Sequence, residues 1–456
     1  MCDRKKVLEE FDQQKDFMKE TVQPNIEKYR KGDCVVTVCD ANGKPLPHVK
    51  VQVKQTSHAF RFGANIFMLD EMETEEKNER YKKYFADTFN MATLPFYWNA
   101  NEPEEGKTRY TVSSPRLYRR PPIDLCLDFC EKHNIEPREH GLAYEEFFPE
   151  WLYGKDIPTV KAAMEKRFAE ISERYAHRIR TVEVTNEMQR QKGRTHFYDS
   201  PEYVSWCFKL AEKYFPNNEL VINERTPYCW DDPCRPTDCY WAYLENSILK
   251  GARIDAVGMQ FHAVSIYKGL SRRENEYEIT RKRYNPREVY RHMDLYAQFG
   301  KPLQISEVTF PSYSWQDEDE QIQAAALENM YTVWFSHPAT EQIIYWNLVD
   351  GYAHLWRVDE ETLRKSLGNM TLGENYYHGG LFRHDFTPKP AFHKLKELLE
   401  KTWHTEMTLQ TDENGRIRFR GFYGDYALQP SGNPEKTASF KLSSGAENCL
   451  CVTLSK

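Results

Sequence analysis

The sequence predicts a (β/α)8 barrel, the TIM barrel, with a small accessory β module formed by N- and C-terminal strands. Three observations lead there. Between residues 58 and 403, eight short apolar or alternating segments are each followed by a helical pattern. The first of these segments lacks the Gly-rich turn that opens a doubly wound, dinucleotide-binding sheet. Outside those limits the chain reverts to period-two alternation broken by Gly and Asn turns. The expected domains are therefore 1–57 (a helix and a β-hairpin), 58–403 (the barrel) and 404–456 (a C-terminal β module).

In chain order, residues 4–30 read as a polar helix. CVVTVCDANGKPLPHVKVQVKQ, residues 34–55, reads as a hairpin by the chemistry of its Asn-Gly-Lys-Pro turn. The barrel strands are expected in FRFGANI, FNMATLPFYW, EPREHGLAY, TVEVTNE, ELVINER, IDAVGMQFH, PLQISEV and QIIYWNLVD. Helical patterns follow near 76–88, 120–133, 158–177, 202–214, 236–250, 286–299, 317–336 and 389–402. After Trp403, HTEMTLQTDENGRIRFRGFYGDYALQ and TASFKLSSGAENCLCVTLSK alternate again and could pair with the strands at 34–55.

Composition narrows the partners. Net charge is −7 without a basic block, which disfavours nucleic acid and anionic membrane surfaces. No apolar run approaches the roughly 20 residues of a membrane helix. The charged N-terminus has no signal-peptide centre, so the chain as written reads as cytoplasmic. Cys2, next to Met1, leaves a secreted or lipid-anchored protein open if a signal was trimmed there. Eleven cysteines are an odd number and suggest reduced thiols; the spacing of Cys229, Cys234 and Cys239 is not that of a zinc site. No metal or organic cofactor is expected, and the oligomeric state is unknown. Aromatic residues, 14% of the chain, mostly suit a large core, with a minority available to stack on sugars.

Chemistry belongs at the C-terminal ends of barrel strands. The dipeptide Asn-Glu occurs at Asn78, Asn101, Asn186, Asn218, Asn223 and Asn275. Only Asn186-Glu187 and Asn223-Glu224 end strands, the fourth and fifth. The seventh strand ends in Glu307, three strands beyond Glu187 and so across the barrel mouth. Two carboxylates facing each other over a cleft are the equipment of a glycosidase, although two unrelated strand-end acids would read the same by position alone. His262 ends the sixth strand beside Glu307 and could hold it ionised; Trp346 ends the eighth and could floor a sugar ring.

With these residues assembled, the chain resembles glycoside hydrolase family 10, the retaining endo-β-1,4-xylanases, over roughly residues 58 to 400. TVEVTNEM resembles the family's acid/base segment, which implies Asn186 as a substrate contact and Glu187 as acid/base. LQISEVTF resembles its nucleophile segment, which implies Glu307. VGMQFHAV resembles the Gly-Met-Gln-x-His strand and gives Gln260 and His262; YWNLVDG gives Trp346 and Asp350; EHGLAYEEFFPEW places His140 on a family histidine. Oligosaccharide or glycoside is the implied partner. The departures fall on the sugar grip. Glu145 stands where the family has a second His, and Glu145 could reach a sugar hydroxyl instead. LPFYW keeps Trp98 but loses the Asn and Lys of the second-strand run, while Phe96 and Tyr97 could narrow that side. His354 stands where a second Trp is usual. Glu224 and Arg225 could serve a neighbouring subsite. The resemblance implies retained chemistry with altered glycone subsites; the alternative is a non-catalytic carbohydrate-binding protein on a hydrolase scaffold.

Overall fold

The computed structural model describes residues 4–189, 193–231, 239–264, 280–355, 359–432 and 435–454. Cys2 and Cys234, and the start of the helix expected near 236–250, lie outside them. Fifteen strands are described. β1 (Lys31–Cys39), β2 (Lys50–His58) and β11 to β15 (Glu406–Gln410, Arg416–Phe422, Gly424–Pro430, Ala438–Leu442, Cys449–Thr453) lie outside the barrel. β3 to β10 build it: Arg61–Asn65, Met91–Pro95, Glu136–His140, Thr181–Asn186, Glu219–Glu224, Ala256–His262, Leu303–Thr309 and Thr340–Tyr345. They pair in parallel in sequence order, and β10 returns to β3 to close the ring. This is the expected (β/α)8 barrel.

The strands are short because a tilted barrel strand needs only enough residues to span the ring, and most of their residues are buried on both sides. Three of the helices between them start where the sequence supplies a cap. Thr74, Asp156 and Asn285 accept from backbone N–H groups of the first turns at Glu75–Ala86, Ile157–Tyr175 and Pro286–Ala297. The floor of the barrel is polar. The Arg61 guanidinium lies 3.4–3.6 Å from Glu136, Glu219 and Glu341, and Gln304 bonds Glu219, Glu341 and Gln342. That plug leaves the opposite, C-terminal face as the open end, where the strand-end residues gather.

Two expectations outside the barrel are corrected. Residues 4–30 are helical in consecutive short stretches but not simply polar. Val7, Phe11, Phe17, Val22 and Ile26 are buried, packed on Tyr284, Tyr290 and the helix Asp317–Ser336. That helix is consequently buried on most of its surface after an acidic first turn. The hairpin at 34–55 does not form. The Asp40–Lys44 turn is present, with Asp40 Oδ1 accepting from Asn42 and Lys44 N–H. Beyond it, however, the chain crosses to another sheet. β1 lies between β12 and β15, and β2 lies between β11 and β13, with β14 beyond β13. The two sheets face each other over Val36, Val38, Val51, Val53, Ile417, Tyr426, Leu428 and Leu442. Each strand carries one apolar face, and a sandwich buries both where a lone hairpin would bury neither. Among the described residues no helix is long and apolar enough to cross a membrane.

Candidate active site

Register brings the polar strand ends into one layer. Asn186 of β6 lies opposite Asn223 of β7, Asn223 opposite Gly258 of β8, and Gln260 opposite Glu307 of β9. A Cβ on Gly258 would stand 2.5 Å from Asn223 Oδ1, so glycine there is what lets the Asn223 amide into the layer. A one-residue shift in the β8–β9 register before Gln260 carries Glu307 inward beside it.

Gln260 is the hub. Its Nε2 lies 3.0 Å from Glu307 Oε1, 3.3 Å from Glu187 Oε1 and 3.1 Å from Asn186 Oδ1. Asn223 Nδ2 donates to Asn186 Oδ1 at 3.0 Å and reaches Glu307 Oε1 at 3.4 Å, while Ser306 Oγ donates to Asn223 Oδ1. One nitrogen thus touches both carboxylates. The two oxygens can be no further apart than those two bonds end to end, which falls short of the roughly 6.5 Å where the inverting arrangement begins.

His262 holds the other oxygen of Glu307. Burial lowers the pKa of its ring and keeps it neutral. Its Nε2 lies 3.1 Å from Glu307 Oε2, and because an ionised carboxylate can only accept, Nε2–H donates there while Nδ1 takes the proton of the Thr309 hydroxyl 2.9 Å away. Burial also pushes the Glu307 carboxyl well above the usual carboxylate range; His140 opposes that rise, and Glu183 and Glu187 add to it. The donors on its two oxygens work against the burial by favouring the ionised form. Glu187 is the more accessible acid, its side chain 16% exposed against 5% for Glu307. Arg225 Nε lies 3.9 Å from Glu187 Oε2 and 3.8 Å from Glu224 Oε1. Glu224 is fully buried, and burial raises it to about 8. Glu187 has a left-handed backbone, φ 49°.

A second layer backs the first. His140 Nδ1 is 2.7 Å from Glu183 Oε1, Arg138 meets the other oxygen of Glu183, and Tyr97 Oη is 2.9 Å from His140 Nε2. Although burial acts to raise Glu183, His140 and Arg138 hold it below its ordinary value. Trp346 contacts the rings of His140, Phe67 and His262. Asn186 Nδ2 is buried without a hydrogen-bond partner, a donor left over for a ligand.

The structure therefore brings Asn186, Glu187, Gln260, His262, Glu307, His140 and Trp346 together. It does not bring Trp98, Glu145 or Phe96 to them. Trp98 is core: its Nε1 donates to Glu102, and its ring packs on Phe148, Trp151 and the Arg167 guanidinium. Glu145 is buried, and its Oε1 accepts from the backbone N–H groups of Arg194 and Thr195, which ties down the loop after β6. Phe96 packs on Tyr175. Asp350 pairs with Lys389 and accepts from Trp315. Sequence reasoning placed Asn223 at a strand end but gave it no role in the site, and it missed Thr309 and the loop arginines Arg119 and Arg120. Asn223 carried a readable signal, since it repeats the strand-end Asn-Glu of Asn186. Among the described residues no three His, Cys, Asp or Glu side chains gather as a metal site.

The family described as "Glycosyl hydrolase family 10" matches residues 54–398. The chain is 25% identical over 415 residues to "Anti-sigma-I factor RsgI6" of Acetivibrio thermocellus, covering 88% of this chain and 45% of that protein. It is 24% identical over 414 residues to "Endo-1,4-beta-xylanase 1" of Arabidopsis thaliana, covering 88% and 37%. The chain thus spans less than half the length of these relatives. In fold it is similar to xylanase 10B from Thermotoga petrophila RKU-1, solved with xylobiose, at TM-score 0.58 and 19% identity over 75% of this chain and 95% of that one.

Proposed function

The chain belongs to glycosyl hydrolase family 10, and on that premise we propose that it is a retaining glycosidase that cleaves a β-linked glycoside by double displacement. The observation that carries the reading is the Gln260 amide touching both carboxylates. It fits a close pair, with no room between for the water an inverting enzyme activates. Glu307, the more buried acid with donors on both oxygens, attacks the anomeric carbon, and the bond to the leaving oxygen breaks as Glu187 protonates it. Glu187 then takes a proton from water as that water attacks the same carbon and releases Glu307. Asn186 Nδ2 is available to a sugar hydroxyl, and Trp346 and His140 line the reacting side.

The substrate is a β-linked oligosaccharide with a glycone different from plain xylose. Tyr97 occupies the second-strand run where the family has its Lys, and each hydrogen bond lost to a sugar costs about 0.5–1.5 kcal/mol, or about 1.5–3 with a charged partner. Activity on unsubstituted xylan is therefore expected to be weak. Efficient release of xylobiose from it would refute that part.

The deciding experiment is proton NMR of the first-formed sugar from an aryl β-glycoside, with two variants. Glu307→Ala should lose turnover on every substrate. Glu187→Ala should still be glycosylated by dinitrophenyl glycosides and be rescued by azide with retained stereochemistry. An inverted first product, or the same response in both variants, sinks the assignment. A binding protein without catalysis is the second reading, favoured by the relative whose name is that of an anti-sigma factor over 88% of this chain. Oligosaccharide binding with no turnover across an aryl-glycoside panel would select it.

A further inference from the structure

The segment that precedes the helix Ile123–Lys132 puts two arginines over the aromatic side of the cleft. The Arg120 guanidinium lies 3.8 Å from the Tyr97 ring centre, 5.4 Å from Phe147 and 5.6 Å from Phe67. Its described hydrogen bond goes to the neighbouring Arg119 carbonyl. Arg119 donates to Asn347 Oδ1 and the Tyr352 carbonyl, stacks near Phe67, and leaves a buried Nε with no partner. Among the described residues neither guanidinium forms an ion pair. Arg138 and Arg283 meet acids, Glu183 and Asp231, and Arg30 reaches three main-chain carbonyls, although Arg138 and Arg167 also leave buried nitrogens without a partner. Glu374, beyond Asn347, takes that residue's Nδ2 at 3.2 Å.

A chain of side-chain contacts links these charges to the reacting groups. From Arg120 the contacts run through Tyr97, His140, Trp346 and His262 to Glu307. Burial and Arg119 bring the Arg120 pKa down to about 10, which still leaves a full cation at neutral pH. His354 is held neutral, pushed down to about 3 by burial and by both arginines, so it adds no charge of its own. In a chain of net charge −7 the two guanidiniums are a local concentration of positive charge. A neutral sugar would displace water from the arginines and leave them unpaired, which is costly. A carboxylate matches the planar fork of a guanidinium and accepts two bonds from it.

We propose, on the glycosidase reading above, that this side of the cleft recognises a uronate, a sugar whose carboxylate is held by Arg119 and Arg120. The test is titration calorimetry of the full chain with a β-linked oligosaccharide ending in a non-reducing glucuronate, its methyl ester, and a sulfated analogue. The acid should bind at least ten-fold tighter than the ester at low salt, and the advantage should shrink as sodium chloride is added. Arg120→Gln should reduce it to about two-fold or less, and Arg120→Lys, which keeps the charge and loses the fork, should fall between. The Lys variant keeps the test open if the Gln variant fails to fold. Equal affinities for acid and ester, binding of neither, or an acid preference that survives Arg120→Gln and Arg119→Gln alike would overturn the proposal. Tighter binding of the sulfated analogue would overturn the carboxylate assignment. Turnover of neutral aryl glycosides is scored separately. A protein that hydrolyses nothing yet prefers the acid keeps this inference and loses the glycosidase reading.

Discussion

Gln260 shows how far one side chain sets the site. Replacing it by Leu removes donors to two carboxylates at once, each worth about 1.5–3 kcal/mol, so kcat/KM is expected to drop about 100-fold or more with the fold intact. Less than a five-fold loss would show that the bridge does not matter to the reaction. Glu307 gives a pH prediction. Its carboxyl is raised by burial, so the acidic limb of kcat/KM should lie above the ordinary Glu value of about 4.3, with activity lost as pH falls through it. His262→Ala removes a donor to the ionised form and should move that limb higher still; an unmoved or lowered limb refutes the role. Glu224 gives a stability prediction. Its folded pKa, about 8, lies above its unfolded one, so its contribution is full below about pH 4.3 and is lost as pH rises through 8. Glu224→Gln should leave stability at pH 5 nearly unchanged and raise it at pH 9, read by denaturant melts at both. The strand-end residues were legible because a barrel strand points a predictable residue at its mouth. Arg119 and Arg120 were not, because a loop has no period to count, and Trp98 and Glu145 misled because residue type alone does not say which way a loop side chain turns.

The barrel elements were readable one by one, since a buried parallel strand and an amphipathic helix differ in period. Pairing outside the barrel was not readable. β1 and β2 each alternate and are joined by a genuine turn, and those local signals are the same whether the strands pair with each other or with strands nearly 400 residues later. The leading helical segment was misread as polar because its buried residues are spaced among many charges. Arg30, at the end of that segment, donates to the carbonyls of Phe335, His337 and Thr340, where the helix Asp317–Ser336 gives way to β10. Arg30→Ala should cost about 2–4 kcal/mol, measured by urea denaturation, because it strands those carbonyls and removes a bracket between segment and barrel. A loss below about 0.5 kcal/mol would mean that water replaces the guanidinium there.

On the scale of the whole molecule, both ends of the chain meet in one sandwich. Removing residues 404–456 takes away every partner strand of β1 and β2, and with them the facing layer of that core. It should therefore cost more than the loss of an appendage: the truncated chain is expected to aggregate or to melt at least 10 °C lower by calorimetry. A monomeric truncation that melts like the full chain would show the barrel to be independent of its sandwich. The closure also has a consequence in time. On the ribosome β1 and β2 are made before the barrel, and their partner strands only after it. Until then two apolar strands travel with open edges, available to a neighbouring nascent chain. The barrel can assemble during that wait, but the sandwich closes only after the barrel has been made, so chaperone supply and elongation rate should govern how much folded protein a cell recovers.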